Sequence, residues 1–284
     1  MSEVLQLLIN GIGIGGIIGL SSLGLAVTYK VVGFVNFAHT EFMTLAAYLA
    51  IFFHALTNSF VLGSLLSVLS ISLMALILEK TVWRPSRNLS SGDSVQMLIL
   101  AVAVGMFMRG LIIFIWGNRP KGFDIPIRPD EVFFGINFSL LQVTAVAVAI
   151  ISSIVVYAIF QYTEVGLKMR AVSDDKQLAA ISGINVDKVI NYTWIISASI
   201  AALSGIIYGM MGLVAPYLSF NLFLPMFAAL LVVGMRDPAK AALGGFFVGI
   251  VQEMSVIVIP PEFKGGISLV IIVILLVWRE RTHA

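Results

Sequence analysis

The chain contains no cysteine and very little charge. Without Cys there is no disulfide, no thiolate and no sulfur-ligated metal. Charged residues make up 11% of 284, whereas a soluble domain carries about a quarter. There is no G-x-x-x-x-G-K-[ST] phosphate loop, no His-Glu-x-x-His pair and no nucleophile elbow. These absences argue against a soluble globular domain, a nucleotide site in this chain and an intramembrane hydrolase. No catalytic, cofactor-binding or metal-binding residues are assigned. The net charge of +2 gives no sign of nucleic-acid binding.

What the chain has is grease: 59% hydrophobic residues and a mean hydropathy of +1.02. Apolar runs recur near 4–28, 40–56, 60–78, 95–116, 138–160 and 189–213, followed by shorter ones at 222–235, 241–259 and 267–278. A spanning helix needs about 20 residues, so no length is left for a soluble domain, and residues 1–284 read as one membrane domain. The runs are too long for barrel strands. The expectation is an all-α, polytopic transmembrane bundle of eight or nine segments, with re-entrant or tilted geometry for the shorter ones. Glu3, the lack of a basic n-region and the lack of a small-residue cleavage site make the first run a retained helix.

Lys and Arg set the orientation. With nine alternating segments, one side holds Lys30, Lys80, Arg84, Arg87, Lys168, Arg170, Lys176, Lys188, Arg236, Lys240, Arg279 and Arg281. The other holds Arg119, Lys121, Arg128 and Lys264. The first side is therefore cytoplasmic, the N-terminus outside and the C-terminus inside.

Two loops are long. The outer one, about 117–137, carries Pro120, Pro126 and Pro129 and reads as an exposed, ordered cap. In the inner one, about 161–187, Ser173 is a good N-cap, Asp174 and Asp175 suit a first turn, and Gly183 suits a C-cap. Leu178 and Ile181 fall at helical spacing beside Ala179 and Ala180, giving a short amphipathic helix on the cytoplasmic face. Its apolar face is small and two acids head it, which favours docking into a soluble partner over resting on lipid. Glycines crowd the first, sixth and eighth runs, as close helix packing in lipid requires. The first and eighth runs are only faintly alike, and no internal repeat follows.

Polar groups inside the grease are few. Asn36, His39 and Glu41 sit between the first two runs, beside Gly33. Charged side chains at that depth cost about 2.5–3.5 kcal/mol on insertion scales. Two readings stand: a lining or gate element of a path, or a hydrogen-bonded knot that locks two helices. As a metal site the segment is poor, with only His54 and His283 elsewhere. Arg109, inside the fourth run, can neutralise Glu41, neutralise Glu253 or snorkel. Glu253, beside Gln252, is a second polar spot in the eighth run.

The residues running from Gly24-Leu25-Ala26-Val27-Thr28-Tyr29 into Gly33-Phe34-Val35-Asn36-Phe37-Ala38-His39-Thr40-Glu41 resemble the start of the branched-chain amino-acid ABC transporter permeases. Thr40 stands where that family usually has Gly. The stretch Gly166-Leu167-Lys168-Met169-Arg170-Ala171-Val172-Ser173-Asp174-Asp175, with Ala179-Ala180 and Gly183-Ile184-Asn185, is similar to the segment that couples such permeases to their ATPases. Residues 234–240 depart from the Gly-rich turn common in relatives. The resemblance implies a multi-pass permease subunit in a prokaryotic cell membrane, passing a small amino acid, most simply leucine, isoleucine or valine. It implies Asn36, His39, Glu41 and Glu253 as candidates for the path or gate, and Gly166, Arg170, Asp174, Ala179, Ala180 and Gly183 for coupling. Its partners would be a second related permease, identical or not, two cytosolic ATPases that bind the ATP and Mg, an extracytoplasmic solute-binding protein, and lipid. An importer for urea, short amides or another small polar solute is the nearby alternative. An ion-coupled secondary transporter is the distant one.

Overall fold

The computed structural model describes residues 2–89, 94–124, 131–133, 136–235 and 237–283. The first helix, α1 (Ser2–Val32), has 31 residues and is about 46 Å long. It is apolar on all sides, as a helix surrounded by protein or lipid must be, and Ile17, Ile18, Leu23, Leu25, Ala26 and Val27 are wholly buried. It stops because Gly33 takes φ +95°, a conformation that residues with a Cβ rarely adopt. Asn36 then folds its side chain back, and its Oδ1 accepts from the Ala38 N–H at 3.1 Å. This Asx turn launches α2 (His39–Thr57).

The chain continues through α3 (Phe60–Leu78), a π-helical turn (Glu79–Trp83), α4 (Arg84–Leu89) and α5 (Ser94–Trp116). A small antiparallel hairpin, β1 (Glu131–Phe133) with β2 (Ile136–Phe138), pairs Val132 with Asn137. After it come α6 (Leu140–Tyr162), α7 (Glu164–Asp174), α8 (Lys176–Ile181) and α9 (Val186–Met210). A 3₁₀ turn (Leu218–Leu222) leads into α10 (Phe223–Val233), followed by α11 (Pro238–Ser255), a second 3₁₀ turn (Pro261–Gly266) and α12 (Ile267–His283).

The all-helical class stands, and helix length and composition account for six or seven of the eight or nine expected segments. Among the described residues six helices are long and apolar enough to cross a bilayer: α1, α2, the continuous Phe60–Asn88 helix, α5, α6 and α9. A seventh arises if Leu218–Val233 and Pro238–Ser255, bent by 119°, count as one broken span. The three shorter apolar runs do form helices, α10, α11 and α12, but the backbone shortens them. The run at 222–235 yields only 11 residues of α-helix, ended by Gly234 at φ +94°. The last helix has 17 residues.

The core lies where α1 packs on α11, α9 and α6. The α1–α11 seam is antiparallel and made of glycine. A Cβ on Gly245 would come within 2.2 Å of the Gly19 backbone, and one on Gly249 within 2.5 Å of Gly15. Such contact, and not hydrophobicity, drives helix association in lipid. Hydroxyls tie α1 to α9: Ser21 and Ser204 meet at 2.6 Å, and Thr28 donates to Ser197 at 2.6 Å. By contrast α5 packs mainly on α2 and leaves Met106, Phe107 and Phe114 largely exposed.

The two long loops lie at opposite ends of α1. At its start, the Gln6 side chain exchanges two hydrogen bonds with the backbone of Asn137, at 2.8 and 3.0 Å. Lys121 and Val214 pair backbones at that end as well. Pro120 belongs to the described part of the 117–137 loop, whereas Pro126 and Pro129 lie outside the described residues. At the far end of α1, Lys176 Nζ donates to the Val32 carbonyl at 2.7 Å.

Candidate functional site

The polar residues of the Asn36–Glu41 segment are buried, with Asn36 and His39 at 0% and Glu41 at 1% relative exposure. It splits by face, because positions 39 and 41 point about 200° apart on a helix. His39 turns toward α1, its ring against Gly24, where a Cβ would lie 2.8 Å from Cε1. Glu41 turns toward α5 and ion-pairs with Arg109. Of the two acids available to Arg109, Glu41 is the one engaged. Glu253 accepts instead from Lys264 Nζ at 2.6 Å, next to a Gln252–Ser268 hydrogen bond at 2.8 Å. The four path candidates therefore occupy three places: Asn36 and His39 together, Glu41 with Arg109, and Glu253 apart from both.

The guanidinium of Arg109 also lies over two rings of the 218–222 turn and its approach, 4.9 Å from the Tyr217 centroid and 4.5 Å from that of Phe220. The turn is pinned from the other side, where Thr44 Oγ1 accepts from the Ser219 N–H at 3.3 Å. Thr44 stands one turn from Glu41 on the same face of α2. Among the described residues several buried polar atoms in this region have no hydrogen-bond partner: Glu41 Oε2, Arg109 Nε, Ser219 Oγ, Asn36 Nδ2 and both ring nitrogens of His39. Buried polar atoms are normally satisfied, so such a concentration marks an unusual place. Tyr217, Ser219 and Phe220 carried no signal in the sequence; they form a short aromatic-serine turn between two apolar runs.

The 161–187 loop is two helices and not one. Ser173 lies inside the last turn of α7, and the expected N-cap role belongs to Asp175, whose Oδ1 accepts from the Gln177 and Leu178 N–H groups at 2.8 and 2.9 Å. Asp174 is the last residue of α7. Gly183 does end α8, with φ +84°. Its N–H bonds the Ala180 carbonyl and that of Ile184 bonds the Ala179 carbonyl, both at 3.0 Å, the Schellman pattern. Gly166 lets α7 fold tightly against α6, since a Cβ there would fall 2.0 Å from the Ile159 oxygen. Arg170 lines a crevice with Lys30, Phe160 and Asp237, and its Nη1 is buried without a partner. Ala179 faces inward, 4% exposed, while Leu178 and Ile181 are 62% and 85% exposed.

Beneath this loop lies a network that sequence reasoning missed. Glu79, 2% exposed, takes both Nη atoms of Arg87 and the indole N–H of Trp194, the last at 2.7 Å. Trp194 stacks on Trp83 at 5.9 Å, and Trp83 meets Phe34 at 5.3 Å. Lys176 joins the edge of this cluster. Burial of its ammonium, aided by the charge of Arg87, pushes its pKa below the ordinary lysine value, and Glu79 partly opposes this. The signal available was thin: an acid terminating an apolar run, with an Arg eight residues on. Among the described residues no group of three or more His, Asp or Glu is gathered as a metal site needs.

Comparison with known proteins decides the family. The family described as "Branched-chain amino acid transport system / permease component" matches residues 7–276. The chain belongs to this family. The permease is 24% identical to the high-affinity branched-chain amino acid transport system permease protein LivH of Salmonella typhimurium, over 96% of this chain and 92% of that one. It is 25% identical to LivH of Escherichia coli K12 with the same coverage, and 23% identical to BraD of Pseudomonas aeruginosa over 97% and 94%. No solved structure matches it. The permease is thus a multi-pass protein of the prokaryotic cell membrane.

Proposed function

We propose that this permease forms part of the translocation path of an ABC importer for a small amino acid, most simply a branched-chain one, driven by ATP hydrolysis in separate cytosolic subunits. Family membership over nearly the whole chain supports the reading. One observation carries the mechanism. The helix α8 turns two apolar side chains, Leu178 and Ile181, out to the surroundings, while its first residue, Lys176, holds the last carbonyl of α1. The outward face is a natural seat for a groove on an ATPase. The inward bond leads straight to the Gly33 break and the buried Asn36–Glu41 segment.

In this account the importer comprises this chain, a second related permease, two ATPases and an extracytoplasmic binding protein that releases solute at the 117–137 end. ATP and Mg belong to the ATPases. The 161–187 end is cytoplasmic, and α10, α11 and α12 complete the crossings, with α10 as a half-length segment and the C-terminus inside. Alternating access requires a differential interaction with two states. Closure of the ATPases supplies it by moving α7 and α8, and the Lys176–Val32 bond passes the motion to the end of α1. Arg170, Asp174, Gly166 and Gly183 shape that lever. Asn36 and His39 line the moving joint.

The test is to place charge on the outward face. Leu178→Asp with Ile181→Asp in the complete complex abolishes co-purification of the ATPases while leaving the permease extractable and monodisperse. Retained assembly together with wild-type solute-stimulated ATP hydrolysis would remove α8 as the docking element.

A further inference from the structure

The buried pair Glu41–Arg109 is an odd structural device. A pair that merely locks two helices uses up its donors and acceptors, because each one left unmatched in low dielectric is unfavourable. Here the carboxylate keeps one acceptor, Oε2, and the guanidinium keeps one donor, Nε, both buried and unpartnered. A third orphan, Ser219 Oγ, sits on the turn that carries the covering rings. The pair is also placed at the margin of the subunit and not at its centre. The side chain of Glu41 is 2% exposed and that of Arg109 18%, and the residues whose rings cover the guanidinium, Tyr217 and Phe220, are 50% and 52% exposed.

We propose that Glu41 and Arg109 form a binding site for the ammonium and carboxylate of a zwitterionic amino acid. This rests on the importer reading above and names the part of the solute that the path recognises. The chemistry selects a zwitterion over other small solutes. Parting a buried ion pair leaves two uncompensated charges, which is strongly unfavourable. A zwitterion entering between the two groups turns one ion pair into two, its ammonium on Glu41 and its carboxylate on Arg109, and leaves neither charge unmatched. A neutral amide divides the pair without supplying either counter-ion. Tyr217 and Phe220 keep the guanidinium attracted to their ring faces throughout. Such a site reads the part common to all amino acids, so it does not choose among leucine, isoleucine and valine.

The test uses the whole importer in lipid nanodiscs without its binding protein, and reads protection from heat denaturation. The probes are L-leucine, 4-methylpentanoate (no ammonium), isoamylamine (no carboxylate) and acetamide. The wild-type complex is protected by leucine at concentrations roughly tenfold or more below those needed for any other probe, because each half-ligand leaves one buried charge unmatched. Glu41→Gln removes the preference for leucine over 4-methylpentanoate, and Arg109→Gln removes the preference for leucine over isoamylamine. Each keeps its other preference. The wild-type comparison needs no variant, so a variant that fails to assemble leaves the proposal exposed to refutation. Equal protection by leucine and either half-ligand, or stronger protection by acetamide, overturns it, as do assembled variants with wild-type ratios. A parallel measurement of leucine uptake with the binding protein separates the two levels. No uptake of any amino acid defeats the importer reading, whereas uptake without selective protection defeats only this site.

Discussion

Among the described residues two buried Glu–Arg pairs differ in how completely they are satisfied. Glu79 accepts from both Nη atoms of Arg87 and from Trp194, under a stack of Trp83 and Phe34. Glu41 accepts from Arg109 through one oxygen and leaves the other bare, as Arg109 leaves Nε. The first pair is closed and sits under the 161–187 loop, where it stiffens the junction of α3, α4 and α9. The second is open and lies where α5, the most loosely packed of the long helices, meets a half-exposed aromatic turn. Equal chemistry thus serves two ends: one pair holds the fold and the other is available to a ligand.

The comparison breaks most sharply at Arg87. Arg87→Ala strands a buried carboxylate and is expected to destabilise the protein by about 3–5 kcal/mol, read as a large fall in melting temperature of the detergent-solubilised chain and in yield. Trp194→Phe keeps the ring packing and removes one donor to a charged acceptor, with an expected loss of about 1.5–3 kcal/mol in the same assay. A melting temperature unchanged by both would mean that Glu79 is not held as described. Lys176→Met has the smallest effect on stability, under about 1.5 kcal/mol, because its stem is open to solvent. Its effect is on coupling: less solute moved per ATP hydrolysed by the reconstituted importer, with ATPase assembly intact. An unaltered ratio would detach Lys176 from the lever.

Much of this was legible in the sequence, and the reasons for the rest are specific. The long helices declared themselves because apolar length alone specifies α1, α5, α6 and α9. Gly33 and Gly183 were legible as breaks because a positive φ is a property of one residue. The boundary of α8 was misplaced because Ser173 and Asp175 are both sound N-caps, and only the path of the chain between α7 and α8 chooses Asp175. The lengths of the last three segments were not legible, because they are set by tertiary turns, as at Gly234. Arg109 stood out as a lone charge in a run, but its partner depends on which face of α2 meets α5. Glu79, Arg87 and Lys176 were invisible as a group. Glu79 and Arg87 share the continuous Phe60–Asn88 helix, but Lys176 lies far along the chain and nothing in the spacing joins it to them.

The central claim is that the Glu41–Arg109 pair serves the solute and not the fold. The most direct measurement replaces both at once, Glu41→Met with Arg109→Met, and compares assembly with leucine uptake by proteoliposomes carrying the complete importer and its binding protein. Replacing a buried pair by apolar side chains of similar volume is often neutral or stabilising by about 1–4 kcal/mol. The account therefore predicts a complex that assembles and melts no lower than wild type, with leucine uptake reduced roughly tenfold or more. Wild-type uptake by a well-assembled double variant would contradict it.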